Sequence, residues 1–453
     1  MPKAARQAIA PAYLFLCLLM GGSGQGIWVN MALQLLGVVL LAWAAIERPS
    51  EAMPRPARQL LWLVAAGVVV ALLQLVPLPA GLWASLGPRA AIAGDQAALG
   101  IAPATMPLSL TPYAAVGSLL TLIPPLALAL AILRLRAYRP SLLVASLALG
   151  TLAGILLGVF QVTSTDPGSP FYLYRYSNFG VATGFFANSN HFAILLVTTI
   201  PFLAALAASA QNGDRQRYSA VLFVCIMLTV LVLVGIALNR SLAAAILVLP
   251  VLAASSLLVM RASNRTRRFA AAGAALLLLA GIAGLSATSI NDRSIGADAT
   301  TSVQSRAEIF ANTTHAIRDF FPLGSGVGSF QPVYRLYEDH DSATGTFVNH
   351  AHNDYAELVL ELGAAGAILI VLFLAWWLWA VAAAWRSAEL RPYVRAASIG
   401  SAAILAHSLV DFPLRTEAML AVFAMCIALL AGRARAEPVE ANVLRPSRHA
   451  VLK

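Results

Sequence analysis

Residues 350–355, with the sequence HAHNDY, have the side chains best suited to chemistry. Asp354 and Glu357 have the spacing of a capping box, so we expect Asp354 to cap a helix formed by the apolar run that follows. His352 would lie beside the positive end of that helix, which attracts anions such as a diphosphate and keeps an imidazole neutral. A neutral imidazole accepts a proton from a hydroxyl. His352 is therefore the predicted base, with His350 as its substitute.

Two other interpretations of this segment stay open. His350, His352 and Asp354 have the H-x-H-x-D spacing of a metal site, but Tyr355 stands where such hydrolase motifs usually have another histidine. Alternatively, both histidines have no role beyond a position at the membrane interface. We predict that the site uses neither a metal nor a cofactor.

Two arginines are candidates for binding an anion. Arg240 stands between two long apolar runs, where a charged side chain is costly without a partner. Arg306 precedes an aromatic-bearing helix and could reach the same anion, since guanidinium groups suit phosphate oxygens. The alternative is that each arginine pairs with a structural carboxylate such as Asp411, Glu417 or Glu361. Arg415 is another outer-side arginine that the predicted topology does not explain.

The glycines of the G-x-G-x-G sequence at 324–328 do not indicate a dinucleotide site, because no strand precedes them and no parallel sheet is predicted. A tight turn whose backbone approaches a ligand at Gly326, or simply packs, fits better.

Further polar residues are candidates for binding or orienting a substrate. Asn188 and Asn190 cap or enter a helix, and capping alone is an alternative role for both. His407 and Asp411 are one helical turn apart and would orient one another or Arg415. Asn353 and Asp354, beside the predicted base, complete this group.

The elements that position these residues are apolar. Hydrophobic residues form 59% of the 453-residue chain and charged residues 11%, as in a polytopic membrane protein. We predict an all-α fold with one integral domain over 1–453 and about twelve transmembrane helices. The predicted apolar runs are 8–21, 27–46, 59–77, 112–133, 140–162, 189–210, 218–238, 241–260, 269–287, 355–385, 396–412 and 416–432.

The 30 Lys and Arg residues concentrate on one side of these runs, which the positive-inside rule assigns to the cytoplasm. Both termini are then cytoplasmic, with a basic tail at 433–453. Residues 288–354 form the main periplasmic loop, between the ninth and tenth helices, and 303–321 is predicted to be an amphipathic helix within it. Scattered basic residues exclude a nucleic-acid partner, and the three cysteines all lie in apolar runs and form no disulfide framework.

The combination of motifs resembles the bacterial O-antigen ligase and O-antigen polymerase superfamily over roughly residues 180–370. The resembling features are F-x-N-x-N at 186–190, Arg240 at the start of the eighth apolar run, Arg306 before an aromatic helix, P-x-G-x-G-x-G-x-F at 322–330, and H-x-H-N followed by E-x-G-x-x-G at 361–366. The twelve predicted spans and the large outer loop also match this superfamily.

The resemblance implies a metal-independent, inverting glycosyltransferase of the GT-C-like class in the bacterial inner membrane, with its active site on the periplasmic face. The donor would be a glycan on undecaprenyl diphosphate, held by Arg240 and Arg306. His352, or His350 in its place, would activate the acceptor hydroxyl of a glycan, a polysaccharide or a lipid A core sugar. Membrane lipids would be the other partners.

Three alternatives differ in function. A protein acceptor would make the chain an O-oligosaccharyltransferase with the same motifs. A transporter of lipid-linked sugars or small anions predicts charges at mid-bilayer and pseudo-repeated halves. A membrane sensor would bind a ligand in its outer loop without turnover.

Overall fold

The computed structural model describes residues 1–24, 27–48, 52–164, 166, 168–175, 177–260, 273, 297–338, 348–387 and 392–432. The predicted ninth apolar run at 269–287, apart from Gly273, and the predicted basic tail at 433–453 lie outside the described residues.

The described part of the chain is mostly helical. Its helices are α1 (Lys3–Met20), α2 (Trp28–Ile46), α3 (Arg55–Leu73), α4 (Ala80–Ala84), α5 (Arg89–Ala98), α6 (Pro112–Leu120), α7 (Ile123–Leu133), α8 (Pro140–Thr163), α9 (Ser189–Ser209), α10 (Arg215–Asn239), α11 (Leu242–Val259), α12 (Ala297–Phe320), α13 (Phe330–Tyr334), α14 (Asp354–Arg386), α15 (Pro392–His407) and α16 (Glu417–Gly432). Two short strands, β1 (Pro77–Pro79) and β2 (Thr105–Pro107), pair antiparallel with Leu78 opposite Met106.

Within the described residues, 8 helical segments are long and apolar enough to cross a bilayer. These are α2, α3, α6 with α7, α8, α9, α10, α11 and α14. Helices α1, α15 and α16 occupy the other predicted apolar runs that the structure describes. The chain is consistent with a multi-pass, mostly helical membrane protein, while the count of twelve and the GT-C-like arrangement stay predictions.

Helix α9 is the most enclosed of the candidate spans, with 78% of its apolar window buried. It packs against α8, α10, α11 and α15. A buried hydrogen bond of 2.9 Å joins Thr151 of α8 to Thr199 of α9, a polar contact of the kind that links helices in an apolar surrounding. Only 22% of the windows of α2, α3 and α10 is buried, so these helices present apolar faces outward, as lipid contact requires.

Helix α14 is interrupted at Gly363, where φ is 61° and ψ is −138°. The interruption frees two carbonyl groups, which accept hydrogen bonds from N–H groups of the glycine turn (residues 322–328). Ser325 N donates to Leu360 O at 2.9 Å and Gly326 N donates to Glu361 O at 2.9 Å, while Ala364 N donates to Pro322 O at 2.8 Å. The turn therefore completes the hydrogen bonding that a helix break leaves open.

Two buried side chains hold the other face of the glycine turn. Gln74, at the end of α3, donates to Glu361 O at 2.9 Å and accepts from Val327 N at 3.2 Å. Arg89 is 1% exposed and donates to Gly324 O at 2.8 Å. Burial lowers the pKa of Arg89 to about 10. The segment between α3 and α6 thus fixes the turn through Arg89.

We predict that Gly363→Ala and Gly324→Ala lower the melting temperature strongly. Both glycines have positive φ, which costs other L-residues about 1–2 kcal/mol. An added Cβ would also lie 2.1 Å from Pro322 O at position 363 and 2.3 Å from Glu361 O at position 324. Tryptophan fluorescence during heating of the detergent-solubilised protein measures the effect.

Gly94→Ala is the matched control, because a Cβ at this helical position meets nothing within 4 Å. Alanine is also the better helix former, so this variant should melt at the wild-type temperature or slightly above it. Equal melting of all three variants would show that the turn does not support the helix break.

Candidate functional site

The HAHNDY segment begins α14 and lies against residues 408–416, which connect α15 to α16. Asp354 N donates to Ser408 O at 3.0 Å, and the Asn353 side-chain amide donates to Leu409 O at 3.0 Å. These contacts place the segment that carries the two histidines against the connection between α15 and α16.

The residue that caps α14 is Asn353, so the prediction that Asp354 caps it is wrong. The Asn353 side-chain oxygen accepts from Tyr355 N and Ala356 N, both at 3.0 Å. Because Asp354 N has Ser408 O as its acceptor, the first N–H groups of the helix are all occupied by protein atoms. These N–H groups are therefore not free to bind a diphosphate, and the predicted attraction of this helix end for anions stays a prediction.

His352 lies beside Asp411, with His352 Nδ1 3.2 Å from Asp411 Oδ1. The histidine side chain is 23% exposed, whereas the carboxylate is 1% exposed. His352 has a φ of 49°, a left-handed conformation that is uncommon for a residue other than glycine and clusters at functional sites. With Nδ1 turned to the carboxylate, Nε2 is the ring nitrogen left to accept a proton.

Asp411 is held ionised by its neighbours. Burial raises the pKa of Asp411, but the hydrogen bond with His352 and the nearby imidazoles outweigh burial and hold the pKa below its usual range. Asp411 Oδ2 has no hydrogen-bond partner among the described atoms. An ionised carboxylate without a bound cation stabilises positive charge on the adjacent imidazole.

His350 forms a second pair with a carboxylate. Its Nδ1 lies 2.8 Å from Glu357 Oε1, and the other oxygen of Glu357 accepts from Ala351 N at 2.9 Å. Glu357 therefore orients the segment that carries both histidines, which replaces its predicted role in a capping box.

Arg415 joins three buried carboxylates of α14. Its Nη1 lies 3.0 Å from Glu361 Oε2, and its Nε lies 3.5 Å from Glu357 Oε1 and 3.7 Å from Asp354 Oδ1. Burial lowers the pKa of Arg415, but the three carboxylates outweigh burial and raise the pKa. We call these four residues the Arg415 cluster.

Phe412 lies among three imidazole rings. Its ring centroid is 4.3 Å from that of His350, 5.0 Å from that of His352 and 4.8 Å from that of His191, at the start of α9. His191 is 1% exposed, and neither of its ring nitrogens has a hydrogen-bond partner among the described atoms. The aromatic ring limits the positions that the two catalytic candidates can take.

His407 and Asp411 do not hydrogen-bond through their side chains. Both ring nitrogens of the buried His407 lack partners among the described atoms, and the carboxylate of Asp411 pairs with His352. The backbone joins the two residues, because Asp411 N donates to His407 O at 3.1 Å. Arg415 pairs with the carboxylates of α14. A role of His407 and Asp411 in orienting one another or Arg415 stays a prediction.

Arg306 reaches the same region from α12. Its positive charge acts electrostatically on His407. Ile309, three residues further along α12, belongs to the same buried apolar cluster as Ala351, which separates the two histidines. The amphipathic helix predicted at 303–321 is present as part of α12, which ends at Phe320.

Arg240 lies in the turn between α10 and α11, with a φ of 59°. The prediction that it begins the next helix is wrong, because α11 starts at Leu242. Ser241 begins that helix as its cap and donates to Asn190 Oδ1 at 2.8 Å. Asn188 caps α9 and accepts from Asn190 N at 2.8 Å. His191 follows Asn190 and contacts Phe412, so these polar caps adjoin the ring that packs against His350 and His352. Arg240 is exposed and precedes the cap residue Ser241.

Gly326 lies inside the glycine turn with a φ of 109°. A Cβ there would lie 2.3 Å from Ser109 Oγ, so the observed contacts are packing contacts. A role for Gly326 in orienting substrate stays a prediction. The turn reaches the site indirectly, because Gly328 N donates to Glu361 Oε1 at 2.8 Å and Glu361 belongs to the Arg415 cluster.

Comparison with protein families supports the resemblance drawn from the motifs. Residues 227–371 match the O-antigen ligase family. The match covers part of the chain and supports its resemblance to the O-antigen ligase and polymerase superfamily. It supports, in general terms, a ligase- or polymerase-type glycosyltransferase acting on lipid-linked glycans and polysaccharides. No curated protein matches the chain.

The O-antigen ligase region contains Arg240, Arg306 and both histidines, but not all the residues that position them. Asp411, Phe412 and Arg415 lie after it, and His191 lies before it. The flanking helices therefore complete the site of the O-antigen ligase region.

The predicted alternative of an H-x-H-x-D metal site has no support in the arrangement of the side chains. His350 and His352 turn their Nδ1 atoms to separate carboxylates. In the part of the chain that the structure describes, no group of three or more His, Cys, Asp or Glu residues could hold a metal ion.

Several residues of the site were not predicted. Sequence reasoning named Arg415 as an arginine that topology does not explain and that His407 or Asp411 would orient, but it did not predict the ion pairs with α14 and assigned no role to Phe412. Glu357 and Glu361 stand four residues apart on one helix, a spacing that suits two bonds to one cation. That spacing, combined with an unexplained arginine before the last apolar run, is the signal that could have predicted the Arg415 cluster.

We predict that Arg415→Gln lowers the melting temperature markedly. Removing one partner of a buried ion pair costs about 3–5 kcal/mol, because the remaining charges stay buried and unpaired. Arg415 of the wild type stays protonated from pH 5 to 8, because its pKa in the folded protein is raised. Its contribution to the free energy of unfolding is therefore fully present over this range, which lies below the pKa of an arginine in the unfolded chain. The difference from wild type should therefore narrow at pH 5 as the carboxylates of the variant take up protons.

Thermal unfolding at pH 8 and pH 5 measures this difference. Arg335→Gln is the control, since Arg335 is exposed at the end of α13, and it should melt as the wild type does. If Arg415→Gln matched Arg335→Gln at pH 8, the cluster would not stabilise the fold.

Proposed function

We propose that the chain is an inverting, metal-independent glycosyltransferase of the O-antigen ligase or exopolysaccharide polymerase type. It moves a glycan from undecaprenyl diphosphate to an acceptor hydroxyl on the periplasmic face of the bacterial inner membrane. The observation that carries this proposal is the contact of 3.2 Å between His352 Nδ1 and Asp411 Oδ1, within the superfamily that the family match supports.

The proposed reaction is a single displacement. His352 Nε2 takes the proton of the acceptor hydroxyl while the hydroxyl oxygen forms a bond to the anomeric carbon. The bond from that carbon to the diphosphate oxygen breaks, and undecaprenyl diphosphate leaves with the electron pair. Attack from the face opposite the leaving group inverts the anomeric carbon. Asp411 stabilises the imidazolium that forms and fixes its tautomer, as the carboxylate does in a catalytic triad.

We favour His352 over His350 as the base because their partner carboxylates, Asp411 and Glu357, have different neighbours. Glu357, the partner of His350, also faces Arg415 at 3.5 Å and accepts a backbone N–H. Its negative charge is therefore shared with a permanent cation. No arginine or lysine has a described ion pair with Asp411, whose charge can act fully on a protonated His352.

Arg240 and Arg306 are proposed to hold the diphosphate. Arg306 lies close enough to His407 for its charge to act on that imidazole. Arg240 precedes Ser241, the cap of α11, which donates to Asn190 at the start of α9. Guanidinium groups form paired hydrogen bonds with phosphate oxygens and stabilise the charge that develops on the leaving group. Two such cations supply the role that a divalent ion has in other diphosphate reactions, which is the basis for proposing a metal-independent mechanism.

We expect His352→Ala to lower kcat by about 10²–10⁴-fold, the usual contribution of a positioned base. Asp411→Asn should lower kcat by up to about 10⁴-fold, because the amide favours the wrong tautomer of His352. His350→Ala should cause a smaller loss. The assay follows glycan transfer from undecaprenyl diphosphate to lipid A core, polysaccharide and protein acceptors, with and without a chelator.

His315→Ala is the control, since this exposed histidine of α12 makes an edge contact with Tyr337 and has no described contact with His350 or His352. It should transfer at the wild-type rate. Transfer by His352→Ala at the wild-type rate would refute the assigned base. Loss of transfer with the chelator would refute the metal-independent mechanism, and transport of the donor without transfer would refute the enzyme itself. Transfer to protein alone would identify an O-oligosaccharyltransferase.

A further inference from the structure

A groove between α3 and α14 has a volume of about 540 Å³. Volumes of about 300–1,000 Å³ are typical of small-molecule sites. Three of its six lining residues are tryptophans, and Trp62 is 75% exposed. The groove is lined by Gln59, Trp62, Leu63, Leu372, Trp376 and Trp379.

The groove lies at the opposite end of the helix pair from the candidate catalytic site. Helices α3 and α14 run antiparallel, because Trp376 Nε1 donates to Pro56 O at 3.2 Å while Gln74 donates to Glu361 O at 2.9 Å. Glu361 belongs to the Arg415 cluster, whereas Trp376 lines the groove. An occupant of the groove would therefore not contact the histidines.

A smaller cavity of about 150 Å³ adjoins the groove and shares Trp379 with it. Pro56 lines this cavity together with the last turns of α14 and residues of α15 and α16. The two spaces meet at the first turn of α3. Their linings contain no acidic side chain.

The first turn of α3 carries two exposed arginines. Arg55 stands four residues before Gln59 and Arg58 stands four residues before Trp62, so each is one helical turn from a residue of the groove. The predicted topology places this end of α3 at the cytoplasmic surface, where anionic headgroups attract basic side chains. Tryptophan is also enriched at that depth of a membrane.

We propose that this groove binds an anionic diacyl phospholipid. One acyl chain lies along the tryptophans of the groove, and the phosphate of the headgroup pairs with Arg55 and Arg58. The apolar lining supplies the chain contact, and neither lining contains an acidic side chain that would repel the phosphate. The site is separate from the proposed donor site at the other end of α14.

Native mass spectrometry of the detergent-purified protein tests the proposal with dioleoylphosphatidylglycerol and dioleoylphosphatidylcholine as the probes. The wild type should retain the phosphatidylglycerol in preference to the phosphatidylcholine. Arg55→Gln with Arg58→Gln should lose this preference, by about fivefold for each arginine. Trp62→Ala should lower retention of both lipids, because it removes a wall of the groove.

Two matched variants control for general effects on the membrane surface. Trp28 on α2 is 73% exposed and Arg217 on α10 is exposed, and neither lines the groove. Trp28→Ala and Arg217→Gln should retain phosphatidylglycerol as the wild type does. All these side chains lie at the surface, so melting temperatures should confirm that each variant is folded.

Three results would overturn the proposal. One is equal retention of the two lipids by the wild type, and another is loss of retention in the control variants to the same extent as in the groove variants. The third is a dimer of the chain that Trp62→Ala dissociates, which would make the groove an interface between two copies.

Discussion

The buried pairing of Arg415 with the carboxylates of α14 is the interaction on which the rest of the site depends. Glu361 links Arg415 to the glycine turn, and Glu357 links it to His350. Charges taken out of water in this way require one another, since a single missing partner leaves a costly unpaired ion. The Arg415 guanidinium therefore holds the connection between α15 and α16 against α14 and, through Glu357, against the HAHNDY segment.

The same arrangement divides the work between two histidines that are only two residues apart. His350 shares its carboxylate with Arg415 and belongs to the structural framework. His352 faces Asp411, whose charge is not neutralised by a described arginine, and adopts a strained backbone conformation. Phe412 lies against both rings and limits their motion. Similar residue types at adjacent positions thus acquire different proposed roles from their surroundings.

Much of the fold could be predicted because apolar runs and helix periodicity are local properties of the sequence. Helices occupy every predicted apolar run that the structure describes, whereas the short helices α4, α5 and α13 lie outside those runs. Local rules failed where two residues competed for one role, as when Asn353 took the cap expected of Asp354. Pairs such as His352 with Asp411 are 59 positions apart, and a single sequence does not specify which distant carboxylate a histidine meets. The break at Gly363 likewise depends on a turn about 40 residues earlier.

The central claim is that two guanidinium groups and His352 surround one lipid-linked diphosphate. Electron cryo-microscopy of the protein with an undecaprenyl diphosphate-linked glycan tests it most directly. The account predicts that the diphosphate oxygens contact both Arg240 and Arg306, with the anomeric carbon beside the acceptor space that faces His352 Nε2. A diphosphate bound out of reach of either arginine, or a glycan held away from His352, would contradict it.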